Sequence, residues 1–169
     1  MKIRFDEIST GSNRFEIRDN SWFPALELRR CAPVEAEIVL TGKEAGKVEL
    51  SGSLHTAVEL VCDRCLAAWP FAVDVSMHLI FHCPDSGSWQ VQNLECSRSD
   101  LDTVMTREPV IDLGDVLRQQ LYLALPDKRL CRSDCLGLCA GCGADLNSGP
   151  CGCDRETPDS PFSILSVLK

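Results

Sequence analysis

The sequence predicts an α+β protein that is mainly antiparallel β, with a curled sheet or small barrel, a covering helix and a cysteine-rich, zinc-binding C-terminal module. Three observations predict this class. Apolar and polar residues alternate over long stretches, one later stretch has helical spacing, and six of the 11 cysteines fall within residues 131–153. Alternation with a period of two is typical of half-buried strands, and a sheet with one apolar face must curl or be covered.

The strand pattern is clearest over residues 48–60, where the even positions are mostly apolar and the odd positions mostly polar. After Trp69 the apolar residues occupy the odd positions of residues 71–81. A short turn joins the two stretches, so they are predicted to form an antiparallel hairpin. Residues 34–40 alternate in the same way before the turn-like TGKEAGK, and we expect them to pair with the first strand of this hairpin.

A helix is predicted over residues 112–125, within IDLGDVLRQQLYLALP. Its apolar residues recur at helical spacing, Asp112 can cap its start and Pro126 marks its end. The preceding polar, turn-rich residues 83–102 are predicted to form a loop or weak edge structure. The chain is thus divided into an antiparallel β domain over residues 1–126 and a cysteine-rich tail over residues 127–169, packed on the hairpin.

The start of the chain points to the cytoplasm. Residues 1–19 alternate charged and apolar side chains and never reach the roughly 7–15 apolar residues of a signal peptide. No apolar run approaches the ~20 residues needed to cross a bilayer, so no membrane association is expected. In a reducing compartment, a dense cysteine pattern holds metal more often than it forms disulfides.

The first candidate metal ligands lie where the predicted hairpin turns. Cys62 and Cys65 form a C-x-x-C pair, and a tight turn directs both sulfurs to the same side, which supplies half of a tetrahedral zinc site. The same dithiol in a cytosolic protein is also compatible with redox chemistry, so a thiol oxidoreductase that uses Cys62 and Cys65 is kept as an alternative.

The tail supplies three further cysteine pairs. LCAGCG resembles a zinc knuckle, whose natural complement is the C-x-C pair that follows NSGP; by elimination, the remaining tail pair would complete a site with the hairpin pair. The alternative is a single site drawn from the six tail cysteines, which spacing alone does not exclude. The two predicted four-cysteine sites are Cys62, Cys65, Cys131 and Cys135, and Cys139, Cys142, Cys151 and Cys153.

The expected metal is zinc, one or two ions, because knuckle spacing suits a single tetrahedral ion, although four cysteines also fit an iron–sulfur cluster. Sites with four protein ligands leave no open position for a catalytic water, and HExxH, G-x-S-x-G and phosphate-binding glycine motifs are absent from the sequence. No catalytic residue and no small-molecule substrate are therefore predicted. Cys31, Cys83 and Cys96 have no partners at ligand spacing.

Charge bears on the class of partner. The formal net charge is −8, and seven acidic residues face only two basic ones between Asp85 and Asp115. Binding to naked nucleic acid draws on lysine and arginine, whereas an acidic surface suits a basic protein. A shared zinc site would bring together four basic residues, predicted to contact RNA or a partner unless they are simply solvated: Arg64, Lys128, Arg129 and Arg132.

The order of these motifs resembles the YceD family of bacterial large-subunit ribosomal RNA accumulation proteins, from about residue 47 onward. Two positions depart from the family pattern without removing a thiol: Ala140 stands where the family has proline, and Asp145 where it has asparagine. The motifs are CDRCL at 62–66, LALP at 123–126, C-x-x-x-C-x-GLC-x-x-CG-x-x-LN at 131–147, C-x-C at 151–153 and SPFSILSVLK at 160–169.

The resemblance implies a non-enzymatic cytoplasmic protein needed for normal levels of large-subunit ribosomal RNA, and hence a role in ribosome assembly. Its expected partner is large-subunit ribosomal RNA or a large-subunit ribosomal protein. A generic protein-interaction module in which zinc is only a structural staple is the remaining alternative.

Overall fold

The computed structural model describes residues 1–8, 11–43, 46–84 and 102–153. These ranges contain eight strands, a 3-10 turn at Phe5–Glu7 and one α-helix. The strands and helix in chain order are β1 (Lys2–Arg4), β2 (Ser12–Ile17), β3 (Arg29–Arg30), β4 (Glu35–Lys43), β5 (Lys47–Val61), β6 (Ala68–His82), β7 (Thr103–Met105), β8 (Val110–Asp112) and α1 (Leu113–Ala124).

The main sheet is built around a long hairpin. β5 and β6 contain 15 residues each and pair antiparallel from Lys47 opposite His82 to Val61 opposite Ala68. The predicted hairpin is thus confirmed, as is the antiparallel pairing of β4 with β5, in which Glu35 lies opposite His55. The strand order is β2-β4-β5-β6-β7, and β3 also pairs with β5.

The sheet is open, so the barrel allowed by the sequence analysis is wrong. Within the described ranges, β2 and β7 lie at opposite edges of the sheet and do not pair with each other. β7 also departs from the antiparallel pattern, because it pairs parallel to the end of β6. The sheet does not have to close into a barrel to bury its apolar face, because α1 and apolar residues of the first 23 positions pack over that face.

The core follows the predicted period of two. Leu50, Leu54 and Val58 of β5 are fully buried, as are Ile38 and Leu40 of β4. Because successive side chains point to opposite faces of a strand, one register places all five on the same face of the sheet. The opposite face of the sheet carries the polar residues.

Two positions on the inner face of β5 are not apolar. The Thr56 hydroxyl donates a hydrogen bond to the carbonyl oxygen of Ala32 at 3.3 Å, which satisfies the polar group on a buried surface. At Gly52, the neighbouring strand approaches so closely that an added Cβ would lie 2.3 Å from the backbone oxygen of Glu37.

We expect Gly52→Ala to lower the free energy of unfolding by about 1–3 kcal/mol, because β4 and β5 must separate to admit the methyl group. In an unconstrained strand, the same change would stabilise the protein by about 0.4–1 kcal/mol. Urea denaturation measures the difference. Ser53→Ala, on the opposite face of the same strand, is the matched control. A stabilised Gly52→Ala variant would show that the strands do not approach this closely.

Helix α1 begins and ends where the sequence predicts. The Asp112 carboxylate accepts a hydrogen bond from the Gly114 backbone N–H at 3.0 Å, which caps the first turn. Leu113, Leu117 and Leu121 are fully buried on one face, and the helix contacts β6 and β1. In the described ranges, no helix has the length and apolar character needed to span a membrane.

The short strands were not predicted. β1 and β8 form a separate two-stranded sheet in which Ile3 lies opposite Ile111, and both side chains are buried. Strands of two or three residues are too short to show a period, so no pattern indicates them. Of the predicted loop, residues 85–101 lie outside the described ranges, and so does the terminal segment at 160–169.

Candidate metal centres

The tip of the β5–β6 hairpin is a tight turn that carries two sulfurs. The Cys62 N–H donates to the carbonyl oxygen of Ala67, and the Leu66 N–H donates to that of Cys62, both at 2.9 Å. Leu66 adopts a φ of 59°, a left-handed conformation that closes the turn. Cys62 is fully buried and Cys65 partly buried, so this end of the sheet presents sulfur to whatever packs against it.

The tail packs against this tip through hydrogen bonds. The backbone N–H of Asp63 donates to the Arg129 carbonyl oxygen, and the Arg129 N–H donates to the Asp63 carboxylate, each at 2.7 Å. Arg64 donates from Nη1 to the Cys135 carbonyl oxygen at 2.7 Å. At Gly137, with a φ of 77°, an added Cβ would lie 2.9 Å from the Arg64 oxygen, so the tail and the tip are in close backbone contact.

This docking gathers four sulfurs, which we call the inner cluster: Cys62, Cys65, Cys131 and Cys135. The sulfurs of Cys62 and Cys135 are 3.8 Å apart, those of Cys65 and Cys131 are 3.7 Å apart, and all four lie within 4.8 Å of one another. Sulfurs bound about 2.3 Å from one tetrahedral ion are separated by about 3.8 Å. The inner cluster therefore has the size of a single-ion site.

The other four tail sulfurs form the outer cluster: Cys139, Cys142, Cys151 and Cys153, again within 4.8 Å of one another. The knuckle turns at Gly143, whose φ is 73° and whose N–H donates to the Cys139 carbonyl oxygen at 2.8 Å. Cys142 and Cys153 are exposed. The structure thus groups the eight thiols in the same two fours that the sequence analysis considered, with Cys31 and Cys83 outside both.

The thiols of the inner cluster differ in how readily they ionise. Burial opposes ionisation of Cys62, but three backbone N–H groups, chiefly that of Cys131, donate to its sulfur and lower its pKa to about 6. Burial and the neighbouring sulfurs raise the pKa of Cys131 to about 12. The thiolate form of Cys62 is stabilised, whereas that of Cys131 is destabilised by its surroundings. A bound divalent cation would stabilise the thiolate form of all four cysteines.

The outer cluster shows the same balance. Backbone N–H groups of Cys142 and Gly141 lower the pKa of Cys139 to about 6. Hydrogen bonding with the sulfur of Cys142, and the charge of that sulfur, raise the pKa of Cys153 to about 12. A donor set of four sulfurs suits zinc among the common divalent ions, so the residues of both clusters fit that metal.

The four basic residues predicted to contact RNA or a partner lie around the docked tip and tail, and the side chains of two of them form hydrogen bonds within the protein. The Arg64 guanidinium donates to Cys135, as described above, and that of Arg132 donates to the Asn147 side-chain oxygen at 2.8 Å and lies near Asp134. Lys128 and Arg129 are exposed. A role of the four in binding RNA or a partner stays a prediction.

Asn147 is a site residue that the sequence analysis missed. Its side chain lies against the inner cluster and accepts a hydrogen bond from the Leu136 N–H at 2.8 Å. Asp145, one of the two departures from the family pattern, accepts from the Asn147 backbone N–H at 2.9 Å, and this bond lowers the pKa of the carboxyl. The Asp-x-Asn spacing is typical of such a side-chain turn and was the available signal.

Fold and clusters together define a class: a β protein whose longest hairpin ends in a four-cysteine cluster that is shared with a cysteine-rich tail. Residues 50–169 match the family model described as "Large ribosomal RNA subunit accumulation protein YceD". The chain belongs to this family, as the sequence motifs indicated. No solved structure matches it.

The relatives of the chain include two chloroplastic proteins that carry the name of this family. The chain is 28% identical over 143 residues to a protein of Mycobacterium tuberculosis (strain ATCC 25618 / H37Rv) described as uncharacterized, covering 80% of this chain and 65% of that protein. It is 25% identical over 159 residues to the chloroplastic "Large ribosomal RNA subunit accumulation protein YCED homolog 1" of Zea mays, covering 81% and 54%. The Arabidopsis thaliana homolog 1 is 36% identical over 59 residues, covering 35% and 18%. The chain spans less than two thirds of the length of each.

Proposed function

We propose that this protein is a non-enzymatic, cytoplasmic ribosome-assembly factor that supports the accumulation of large-subunit ribosomal RNA. We further propose that each cluster holds one zinc ion in a structural role. The observation that carries the proposal is the inner cluster, which combines two sulfurs of the hairpin tip with two sulfurs of the tail. Family membership supplies the connection with the large subunit.

A structural role for the metal follows from the donor sets. Four sulfurs fill a tetrahedral ion completely, so a zinc ion bound there would have no open position for substrate or water. When bound, zinc would supply a charge centre that holds four thiolates together. In each cluster, sulfurs within 4.8 Å of one another leave room for one ion, which favours zinc over a multi-iron cluster. The division into a β domain ending at residue 126 and a metal-bound tail belongs to this proposal.

A basic protein of the assembling large subunit is the favoured partner. The net charge is −8 with neutral thiols, and each four-thiolate zinc site would add a formal −2. The side chains of Arg64 and Arg132, two of the four candidate cations, are exposed but form hydrogen bonds with other residues of the chain. This balance supports complementary attraction to a basic protein better than neutralisation of RNA phosphates.

Elemental analysis of protein purified without chelator or metal-affinity resin tests the metal sites. We expect two zinc ions per chain. A single ion would leave one cluster free and return Cys62 and Cys65 to consideration as a redox dithiol, and the absence of metal would overturn the structural role.

Co-sedimentation tests the function and the partner. We expect the protein to sediment with large-subunit precursors at physiological salt but not with protein-free large-subunit ribosomal RNA. A Lys128→Glu variant should retain precursor binding, because this exposed cation is not needed to attract a basic protein. Loss of binding in this variant, or binding to the naked RNA, would assign RNA as the partner. Failure to bind precursors would leave only a generic zinc-stapled interaction module.

The thiol oxidoreductase is less well supported. A pKa of about 6 would suit redox chemistry at Cys62, but its side chain is fully buried, and exchange requires a sulfur that can reach its target. Alkylation distinguishes the two functions, since metal-bound thiols should react with iodoacetamide only after chelation. Rapid alkylation of Cys62 in the metal-loaded protein would favour the oxidoreductase.

A further inference from the structure

Asn147 belongs to the loop of the outer cluster but contacts the inner one. Along the chain it lies between Cys142 and Cys151, both of the outer cluster. Its Nδ2 atom lies 3.5 Å from Sγ of Cys135, a member of the inner cluster. The side chain therefore bridges the two sites in space.

The orientation of the Asn147 amide is set by its partners. The Leu136 N–H and the Arg132 guanidinium can only donate, and each lies 2.8 Å from Oδ1. The NH₂ group must then face the other way, where Asp145 Oδ1 at 2.7 Å accepts one hydrogen. The second hydrogen is directed at Cys135 Sγ. Donors that point at a ligand sulfur stabilise its thiolate form and are typical of the surroundings of metal ligands.

Hydrogen bonds attach the loop between Cys142 and Cys151 to residues 136–138, which join the inner cluster to the outer one. The Leu146 N–H donates to the Gly137 carbonyl oxygen at 2.9 Å, and Leu138 forms a β-bridge with Asp145. An ion in the outer cluster would fix both ends of the loop that carries Asn147, because ligands flank the loop on either side. An occupied outer cluster would therefore help to hold the amide where its own hydrogen bonds place it.

The two clusters differ in access to solvent. Cys62 and Cys135 of the inner cluster are 0% and 1% exposed, whereas Cys142 and Cys153 of the outer cluster are exposed. Cys65 and Cys131 of the inner cluster are partly buried, as are Cys139 and Cys151 of the outer one, so the difference lies in the other two sulfurs of each cluster. A chelator has more direct access to the outer cluster than to the inner one. The outer ion should therefore be the first to leave.

We propose that Asn147 is a positioning residue that couples the two metal sites. Metal in the outer cluster holds the amide against Cys135 and thereby strengthens metal binding by the inner cluster. Loss of the exposed outer ion weakens the inner site and loosens the tail from the sheet, so the docked state responds to metal supply. This inference rests on the metal sites of the proposed function, but not on its partner.

The first test uses the full chain loaded with ¹¹³Cd, which gives one NMR resonance for each occupied site. Asn147→Ala removes the donor, and Asn147→Asp keeps the oxygen that faces Leu136 while placing a negative charge against the Cys135 thiolate. Loss of a partner of a metal ligand typically lowers metal affinity by about 10–100-fold. We expect release from the inner site to excess EDTA to be about tenfold faster in Asn147→Ala and faster still in Asn147→Asp, with a shifted inner resonance. Lys128→Ala, at an exposed position of the tail, is the control and should match the wild type.

A double-mutant cycle tests the coupling itself. Cys142→Ser empties the outer site, identifies its resonance by the loss of that signal and should accelerate inner release about tenfold. In an Asn147→Ala background, Cys142→Ser should change the rate of release from the inner site very little, because the side chain that couples the two sites is already absent. Independent, multiplicative effects of the two substitutions on the release rate would overturn the coupling.

Two outcomes separate this inference from the proposed metal sites. If the wild type binds two ions and the Asn147 variants release both at the wild-type rate, the inference is wrong and the proposed metal sites stand. A wild type without metal refutes the sites themselves. Far-UV circular dichroism confirms that the sheet of each variant is folded.

Discussion

Replacing Cys135 with serine should lower the metal content from two ions to one per chain and release the tail from the hairpin tip. The Cys135 sulfur is 1% exposed and 3.8 Å from that of Cys62, so the serine would leave a buried ligand set one thiolate short. Structural zinc contributes about 10–16 kcal/mol of apparent binding free energy in small modules, far more than the hydrogen bonds that dock this tail. Elemental analysis measures the loss of metal, and limited proteolysis reports the release of the tail.

Cys31→Ser is the matched control for this experiment. Cys31 is exposed and lies outside both clusters, so its replacement should leave two ions bound and the tail resistant to cleavage. A Cys135→Ser protein that keeps both ions and an uncleaved tail would show that the inner cluster does not hold metal. The β5–β6 hairpin should remain folded in either variant, because its core lies away from the tip.

Leu117→Ala should lower the free energy of unfolding by about 2–5 kcal/mol, the range for truncating a fully buried leucine. Leu117 is 0% exposed on the helix face that covers the sheet, and its removal leaves a cavity between α1 and the core. Urea denaturation measures the change. The metal content should stay at two ions, since the helix supplies no ligand.

Leu123→Ala on the same helix provides the comparison. This side chain is 77% exposed, so the same chemical change should alter the stability by no more than about 0.5 kcal/mol. Equal effects of the two substitutions would mean that α1 does not pack on the sheet through Leu117. The pair separates burial from helix propensity, because both replacements put alanine in the same helix.

The long elements were predictable because their periodicity extends over many residues. β5 alternates through 15 residues, and its buried face can be identified from residues such as Leu50, Leu54 and Val58 alone. Closure of the sheet was not predictable, since alternation does not tell whether an apolar face meets another strand or a helix. The contribution of Ile3 to the core could not be predicted either. Ile3 lies on a three-residue strand and is placed opposite Ile111, which is far away in the sequence, so no local sequence pattern indicates the contact.

The candidate site was partly predictable for a similar reason. Ligand spacing indicates the cysteine pairs, but which pairs share a cluster depends on where the tail docks. Asn147 is harder to identify from the sequence, because polar residues are common in turns. Only the structure shows that its amide lies against the Cys135 sulfur. At Arg64 the sequence shows a cation in an exposed turn but not that its guanidinium donates to the Cys135 carbonyl oxygen, because that contact depends on where the tail docks.

The separation of the inner-cluster ligands along the chain has a consequence for synthesis. Cys135 follows Cys62 by 73 residues, and Cys131 follows Cys65 by 66. During translation, the hairpin tip is complete long before its partners exist, so the nascent chain holds only half of a site. Captured metal would become tightly bound only after the sheet, the helix and the tail as far as Cys135 have been made. The inner cluster would therefore close only once synthesis has passed Cys135, and a product truncated before that residue would be left with an open hairpin tip.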